Sequence, residues 1–154
     1  MAFILPATLA GNLTDREAIT DALYRAVLAF DHNDEALLLS AITPDLEAKM
    51  PGAYTEGIDE FKAAAFNRVA KHNSTHFLSS IRIDIQSNTT AQATCTVVSQ
   101  HVCPDEDYDP TANKFSSGGM YRCDLVKVDN LWKIRKWVAN YLWVDGDPTV
   151  TACE

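Results

Sequence analysis

No run of apolar residues in this chain approaches the ~18–20 needed to cross a bilayer as a helix. The first eleven residues, Met1 to Gly11, carry no Lys or Arg and are broken by Pro6, so they read as an N-terminal arm rather than a secretory leader. Basic residues are scarce: 13 Lys and Arg stand against 21 Asp and Glu, a formal charge of −8. An acidic surface repels phosphate backbones and anionic lipid, so neither nucleic acid nor membrane is an expected partner. The chain has no GxGxxG, GxxxxGK[ST], HExxH or GxSxG, the signatures of dinucleotide, nucleotide, zinc-hydrolase and serine-hydrolase sites. Its four cysteines, Cys95, Cys103, Cys123 and Cys153, show no CxxC or metal-finger spacing. They are expected to be structural thiols in a reducing, cytoplasmic compartment, because a chain able to build its own core seldom needs a disulfide framework. Internal repeats and low-complexity tracts are absent. Three Asn-x-Ser/Thr triplets, at Asn12, Asn73 and Asn88, matter only for a secreted chain.

What is present is ordinary globular text: 154 residues, 47% apolar, enough for one domain. We place an arm over 1–12, a single domain over 13–148 and a loose tail over 149–154. The first half is helical. Thr14 and Glu17 form a capping box, and Ile19, Ala22, Leu23, Ala26, Val27 and Phe30 recur on one face of a helix from Asp15 to Phe30. Asn33 or Asp34 can cap a short second helix, which Thr43-Pro44-Asp45 should end. A short extended piece, Leu46 to Met50, precedes the Pro51-Gly52 turn. A third helix follows Gly57, with Ile58, Phe61, Ala65 and Val69 buried. The period then changes to two. Four long antiparallel strands are predicted, the last two joined by a tight hairpin at Asp129-Asn130. Pro104 to Asn113 reads as an acidic loop. A curved antiparallel sheet wrapped around helices on one face gives a cone-shaped α+β barrel, open at one end to a small ligand.

The residues able to carry chemistry follow from strand parity. Ala91, Ala93, Cys95, Val97, Ser99, His101 and Cys103 share one face, so His101 points inward. An inward His is either a core residue satisfied by a neighbour or a general acid–base group. Asp31 ends the first helix, where a carboxylate is a solvated cap or, turned inward, the partner of an imidazole. His76 has the wrong parity: it shares a face with Arg82 and Asp84 unless a bulge intervenes at Leu78-Ser79-Ser80. His72 and His76 are four residues apart, but Asn73-Ser74 should end the helix between them, so no metal pair is expected. The aromatic set Tyr121, Trp132, Trp137, Tyr141 and Trp143 suits a core. Tyr54, just after the Pro51-Gly52 turn, is the better candidate for a phenol at the cavity mouth. Cys103 lies close to His101 on the same face, a weak hint of an activated thiol.

Several stretches resemble the SnoaL-like superfamily, within the wider nuclear-transport-factor-2-like fold that includes scytalone dehydratase, ketosteroid isomerase and polyketide cyclases. They are Phe30-Asp31-His32-Asn33-Asp34, Gly57-Ile58, Thr75-His76-Phe77, the hairpin Val128 to Ile134, and Trp143 before Asp145-Gly146-Asp147. The likeness runs from Leu13 to Pro148. It implies Asp31, His76 and His101 as catalytic groups, as in scytalone dehydratase, with Asp31 orienting His101 and both rings moving protons. Phe30 replaces that family's Tyr beside the Asp, and Gly119 and Tyr121 stand where it has Ser and Asn. The water- and substrate-holding groups therefore differ. Tyr54, Tyr121, Trp137 and Asn140 are the expected substrate contacts.

The resulting expectation is a cofactor-independent, metal-free isomerase, cyclase or dehydratase. It would act on a polyketide- or terpenoid-derived intermediate of fungal secondary metabolism, as a homodimer. The alternative is a non-catalytic small-molecule-binding or dimerisation module of the same fold.

Overall fold

The computed structural model describes residues 4–104 and 111–153. Most of the expected acidic loop, residues 105–110, lies outside the described residues. Residues 4–14 form no regular element.

Helix α1 (Asp15–Asp31) starts at the capping box. The Thr14 hydroxyl accepts from the Glu17 N–H, and the Glu17 carboxylate accepts from the Thr14 N–H at 2.8 Å. Its apolar stripe buries Ile19, Ala22, Leu23, Ala26 and Phe30. Asp34 caps α2 (Glu35–Ala41) by accepting from the Leu37 N–H at 2.9 Å. Strand β1 (Ile42–Met50) follows without a break. Thr43-Pro44-Asp45 thus lies inside a strand rather than closing a helix. Pro44 is tolerated because it falls in a register gap: Ile42 pairs with Ile134 and the next ladder partner is Glu47 with Lys136. After the Pro51-Gly52 turn comes β2 (Ala53–Glu56), which the sequence did not announce. The third helical stretch is α3 (Ile58–Phe61), a π-turn at Lys62–Phe66 and α4 (Asn67–Val69).

The long strands are β3 (Asn73–Ile85), β4 (Thr90–Val102), β5 (Lys114–Val128) and β6 (Leu131–Gly146). The six strands form one curved sheet in the order β2-β1-β6-β5-β4-β3. Strand β1 runs parallel to β6 and the other neighbours are antiparallel, so the sheet is mixed rather than wholly antiparallel. Asp129 and Asn130 both take positive φ, 50° and 62°, as a two-residue hairpin of matching twist demands.

Between sheet and helices, Ile19, Leu37, Leu38, Ile42, Leu46, Phe61, Trp132 and Ile134 are fully buried. Each such side chain contributes about 1.5–3 kcal/mol relative to exposure. One cation is enclosed among them. Arg25 donates to the Asp21 carboxylate at 2.7 Å and to the Trp132 carbonyl at 2.9 Å, and also to the Ser40 carbonyl. It ties α1 to α2 and to β6.

The chain end differs from the expected loose tail. Pro148–Ala152 forms a 3-10 helix with Val150 buried, and Cys153 is disulfide-bonded to Cys103. The four cysteines are therefore not all free thiols; Cys95 and Cys123 are. Spacing could not reveal the pair, because it is closed by the fold across 50 residues. The two Cα atoms stand 5.7 Å apart, within bridging range.

Candidate active site

The helices cover only part of the sheet's concave face, and a cavity of about 270 Å³ opens between them. Val27 and Phe30 of α1, Ala65 and Arg68 of the broken helix, and Met50 of β1 form one wall. His76, His101, Tyr121, Trp137 and Tyr141 come from the sheet, and Thr151 from the terminal 3-10 turn.

His76 reaches this cavity through a bulge. Strand β3 shifts register against β4 between Ser79 and Arg82, and Ser80 takes φ 52°. The extra residue reverses the parity, so His76 and Ile83 both face inward although an odd number of positions separates them. Asp31, the last residue of α1, holds His76 twice. Its Oδ1 lies 2.6 Å from His76 Nδ1, and its Oδ2 accepts from the His76 main-chain N–H at 2.9 Å. A carboxylate only accepts, so Nδ1 carries a hydrogen, and Nε2 is the ring nitrogen left for the cavity. Both side chains are 8% exposed. The Phe30 ring packs 6.0 Å from the imidazole, keeping water from the pair. Asp31 thus orients His76 and not His101, a correction to the expected pairing. Helix α1 ends opposite the start of β3, and the Ser74 side chain lies against His101 instead.

His101 points inward as its parity requires, with its ring 5.3 Å from that of His76. Its Nδ1 lies 2.7 Å from Ser74 Oγ and its Nε2 lies 3.1 Å from Ser99 Oγ. Burial lowers its pKa to about 4; the nearby His76 and His72 push the same way, and Asp31 opposes them. His101 is therefore neutral at neutral pH, donating with one nitrogen and accepting with the other. From Ser99 the hydroxyls continue to Ser117 Oγ at 2.8 Å, with the Tyr141 phenol nearby. Burial raises the pKa of Tyr141, opposed by the Ser117 hydroxyl, and raises that of Tyr121 well above the usual phenol value. Both phenols remain protonated donors.

Tyr141 depends on another irregularity. Register between β5 and β6 shifts at Gly118 and Gly119, which face Trp143 and Tyr141. A Cβ on Gly119 would stand 2.1 Å from the Asn140 carbonyl oxygen. Only glycine lets the bulged strand approach so closely.

Of the expected substrate contacts, Tyr121 and Trp137 line the cavity and two others do not. Tyr54 sits on β2 with its hydroxyl donating to Glu56 at 3.0 Å, largely exposed. Asn140 is exposed and is not among the cavity-lining residues. The Cys103 thiol is consumed by its disulfide, and burial pushes the Cys95 thiol up to about 11, so neither is an activated nucleophile. Sequence reasoning missed Tyr141, Ser117, Ser74, His72 and Arg68. Ser99 was visible, sharing parity with His101. Among the described residues, no group of three or more His, Cys, Asp and Glu side chains is placed to share a metal ion.

A curved mixed sheet wrapped over helices into an open cone is the architecture of the SnoaL-like class. The chain belongs to the SnoaL-like domain family, whose model matches residues 11–138. Terrestric acid biosynthesis cluster protein E of Penicillium crustosum is 40% identical over 145 residues, covering 93% of each chain. A candidate scytalone dehydratase from Novosphingobium aromaticivorans superposes with a TM-score of 0.72 at 22% identity, over 85% of this chain and 86% of that one. A type 2 hexachlorocyclohexane dehydrochlorinase gives 0.70 at 15% identity, over 86% and 88%. At such identities the two structures establish the fold.

Proposed function

We propose that the protein is a cofactor-independent acid–base enzyme that isomerises, cyclises or dehydrates a polyketide- or terpenoid-derived intermediate. The observation that carries this reading is the Asp31–His76 pair, buried behind a mainly apolar cavity with its Nε2 free. Nε2 takes a proton from carbon beside a carbonyl. The resulting imidazolium is stabilised by Asp31. The Tyr141 and Tyr121 phenols donate hydrogen bonds to the developing enolate oxygen, where a water-poor site makes them strong, while neutral His101, its two ring nitrogens against Ser74 and Ser99, positions the serine hydroxyls beside them. The proton then returns to a second carbon or leaves on a departing hydroxyl. The kinship with a biosynthesis-cluster protein supports a role in specialised metabolism. A cytoplasmic location belongs to the same proposal on the two buried free thiols, Cys95 and Cys123, and the Cys103–Cys153 disulfide stands against it.

The test is proton exchange at carbon. Wild type is incubated in D2O with a panel of β-hydroxy and β,γ-unsaturated ketones, and deuterium uptake is followed by NMR. Enzyme-dependent exchange that disappears in His76→Gln supports the reading. Equal exchange with and without protein across the panel would leave the non-catalytic binding module in its place.

A homodimer belongs to the same proposal. Phe77, Met120, Leu142 and Trp143 on the long strands are exposed apolar side chains on the outer face, a patch that burial against a second copy would cover. Analytical ultracentrifugation of wild type and Leu142→Glu reads this directly: a dimer that the substitution splits.

A further inference from the structure

The broken helix turns a different face to the cavity from the one its spacing predicts. In a regular α-helix, burial of Phe61 would place Ala65 and Val69, on the same face, in the core. The π-turn at Lys62–Phe66 holds one extra residue, and burial moves one position on, to Phe66 and Ala70. The expected core stripe is thereby rotated by about 100°, the angle of one residue. Ala64, Ala65, Arg68 and Val69 line the cavity instead.

Arg68 is exposed as well as cavity-lining, so it stands at the mouth. Lys62, Lys127, Arg135 and Lys136 each have a carboxylate partner. Arg68 has neither a hydrogen bond nor an ion pair among the described residues. Among those residues no Lys, second Arg, Asp or Glu lines the cavity. The Asp31 carboxylate, behind the wall, has both oxygens bound by His76. A chain of net charge −8 thus presents one fixed positive charge to whatever enters. A guanidinium stays charged at any working pH, and its planar fork matches a carboxylate with two parallel N–H···O bonds. A single charge suits a monoanion better than a phosphate dianion. The short side chains of Ala64 and Ala65 leave room for the anion beside it.

We propose that Arg68 is a specificity-determining residue and that the substrate is an organic carboxylate. Its carboxylate docks on the guanidinium at the mouth, its hydrocarbon part lies along Ala65, Val69 and Phe30, and its reacting carbon meets His76 further in. The proposal rests on the acid–base reading of the same cavity and narrows the substrate to molecules carrying an anionic end.

Binding of matched probes tests it without any need for turnover. The pairs are 3-phenylpropanoate with 3-phenylpropanamide and 5-phenylpentanoate with 5-phenylpentanamide. At pH 7 each acid is ionised and its amide is a neutral molecule of the same shape. Titration calorimetry at low salt should show at least one acid binding wild type about tenfold more tightly than its amide. Arg68→Gln should bring that acid down to the level of its amide and leave the amides unchanged, and Arg68→Lys should keep part of the preference. Added salt should weaken the acids alone. Should Arg68→Gln fail to fold, NMR on wild type gives the same answer: one arginine Nε–H signal shifts with the acids and not with the amides. Wild type that binds neither acid more tightly than its amide, or a preference that survives Arg68→Gln, overturns the proposal. Asp31→Asn separates the two readings, because it should lose carbon proton exchange and keep the preference for acids. Exchange on neutral ketones without that preference removes the recognition alone; the preference without exchange removes the catalysis alone.

Discussion

Asp31 grips His76 at two points, its Oδ1 2.6 Å from the ring Nδ1 and its Oδ2 2.9 Å from the main-chain N–H. The second bond fixes the strand, the first fixes the ring, and together they join the end of α1 to the start of β3. Replacing Asp31 with Asn keeps the shape but offers the imidazole a donor or a neutral acceptor in place of a charge. Turnover should fall by ~10²–10⁴ in Asp31→Asn and in His76→Gln. The measurement is the rate of carbon proton exchange, with circular dichroism showing an unchanged fold.

Acid should destabilise the protein through His101. Its pKa is about 4 in the folded state, and an unfolded His titrates near ~6.5. Between those values the unfolded chain binds the additional proton, so stability is full above the upper value and declines as pH falls through the window. The loss is on the order of 3 kcal/mol once both states are protonated. Urea midpoints of wild type and His101→Gln from pH 7 to pH 4 should converge as this dependence drops out of the variant. Parallel curves would show that the buried ring is not responsible.

Arg25 holds four acceptor atoms, on Asp21, Ser40 and Trp132, and is 2% exposed. Arg25→Ala leaves the half-buried Asp21 carboxylate and two carbonyls unanswered. Breaking a buried pair of this kind costs about 3–5 kcal/mol. The urea midpoint should drop accordingly, with the slope of the unfolding line unchanged.

Gly118 and Gly119 should tolerate alanine unequally. At Gly119 the added Cβ meets the Asn140 carbonyl oxygen at 2.1 Å, a backbone atom that moves only with the strand. At Gly118 it meets the Trp143 ring, a side chain that is half exposed and free to swing. Gly119→Ala should therefore cost about 1–3 kcal/mol or more and displace Tyr141 from the cavity, while Gly118→Ala costs less. Thermal melts of the two variants, side by side, read the difference.

The Cys103–Cys153 disulfide fastens the terminal 3-10 turn, whose Thr151 borders the cavity. Denatured but unreduced protein should yield two titratable thiols, Cys95 and Cys123. Cys153→Ser should lower stability by about 2–4 kcal/mol. A titre of four thiols without reductant would remove the bridge from the account.

Local chemistry made some features of this molecule readable in one dimension. The capping box at Thr14, the apolar stripe of α1, the alternation along β4 that turns His101 inward, and the Asp129-Asn130 hairpin all depend on neighbours within a few residues. So did the cone of helices and sheet, together with the resemblance carried by Phe30 to Asp34 and Thr75 to Phe77. Other features were settled across long stretches of chain. Which imidazole Asp31 holds depends on where α1 ends relative to β3. The facing of His76 and of Tyr141 depends on bulges, and one added residue reverses every side chain beyond it. Trp137 was expected at the cavity, yet its unpaired indole N–H and the unpaired Nε2 of His72 exist only because several elements close around them. Periodicity reports a residue's side of its own element, and it carries no information about which element arrives opposite.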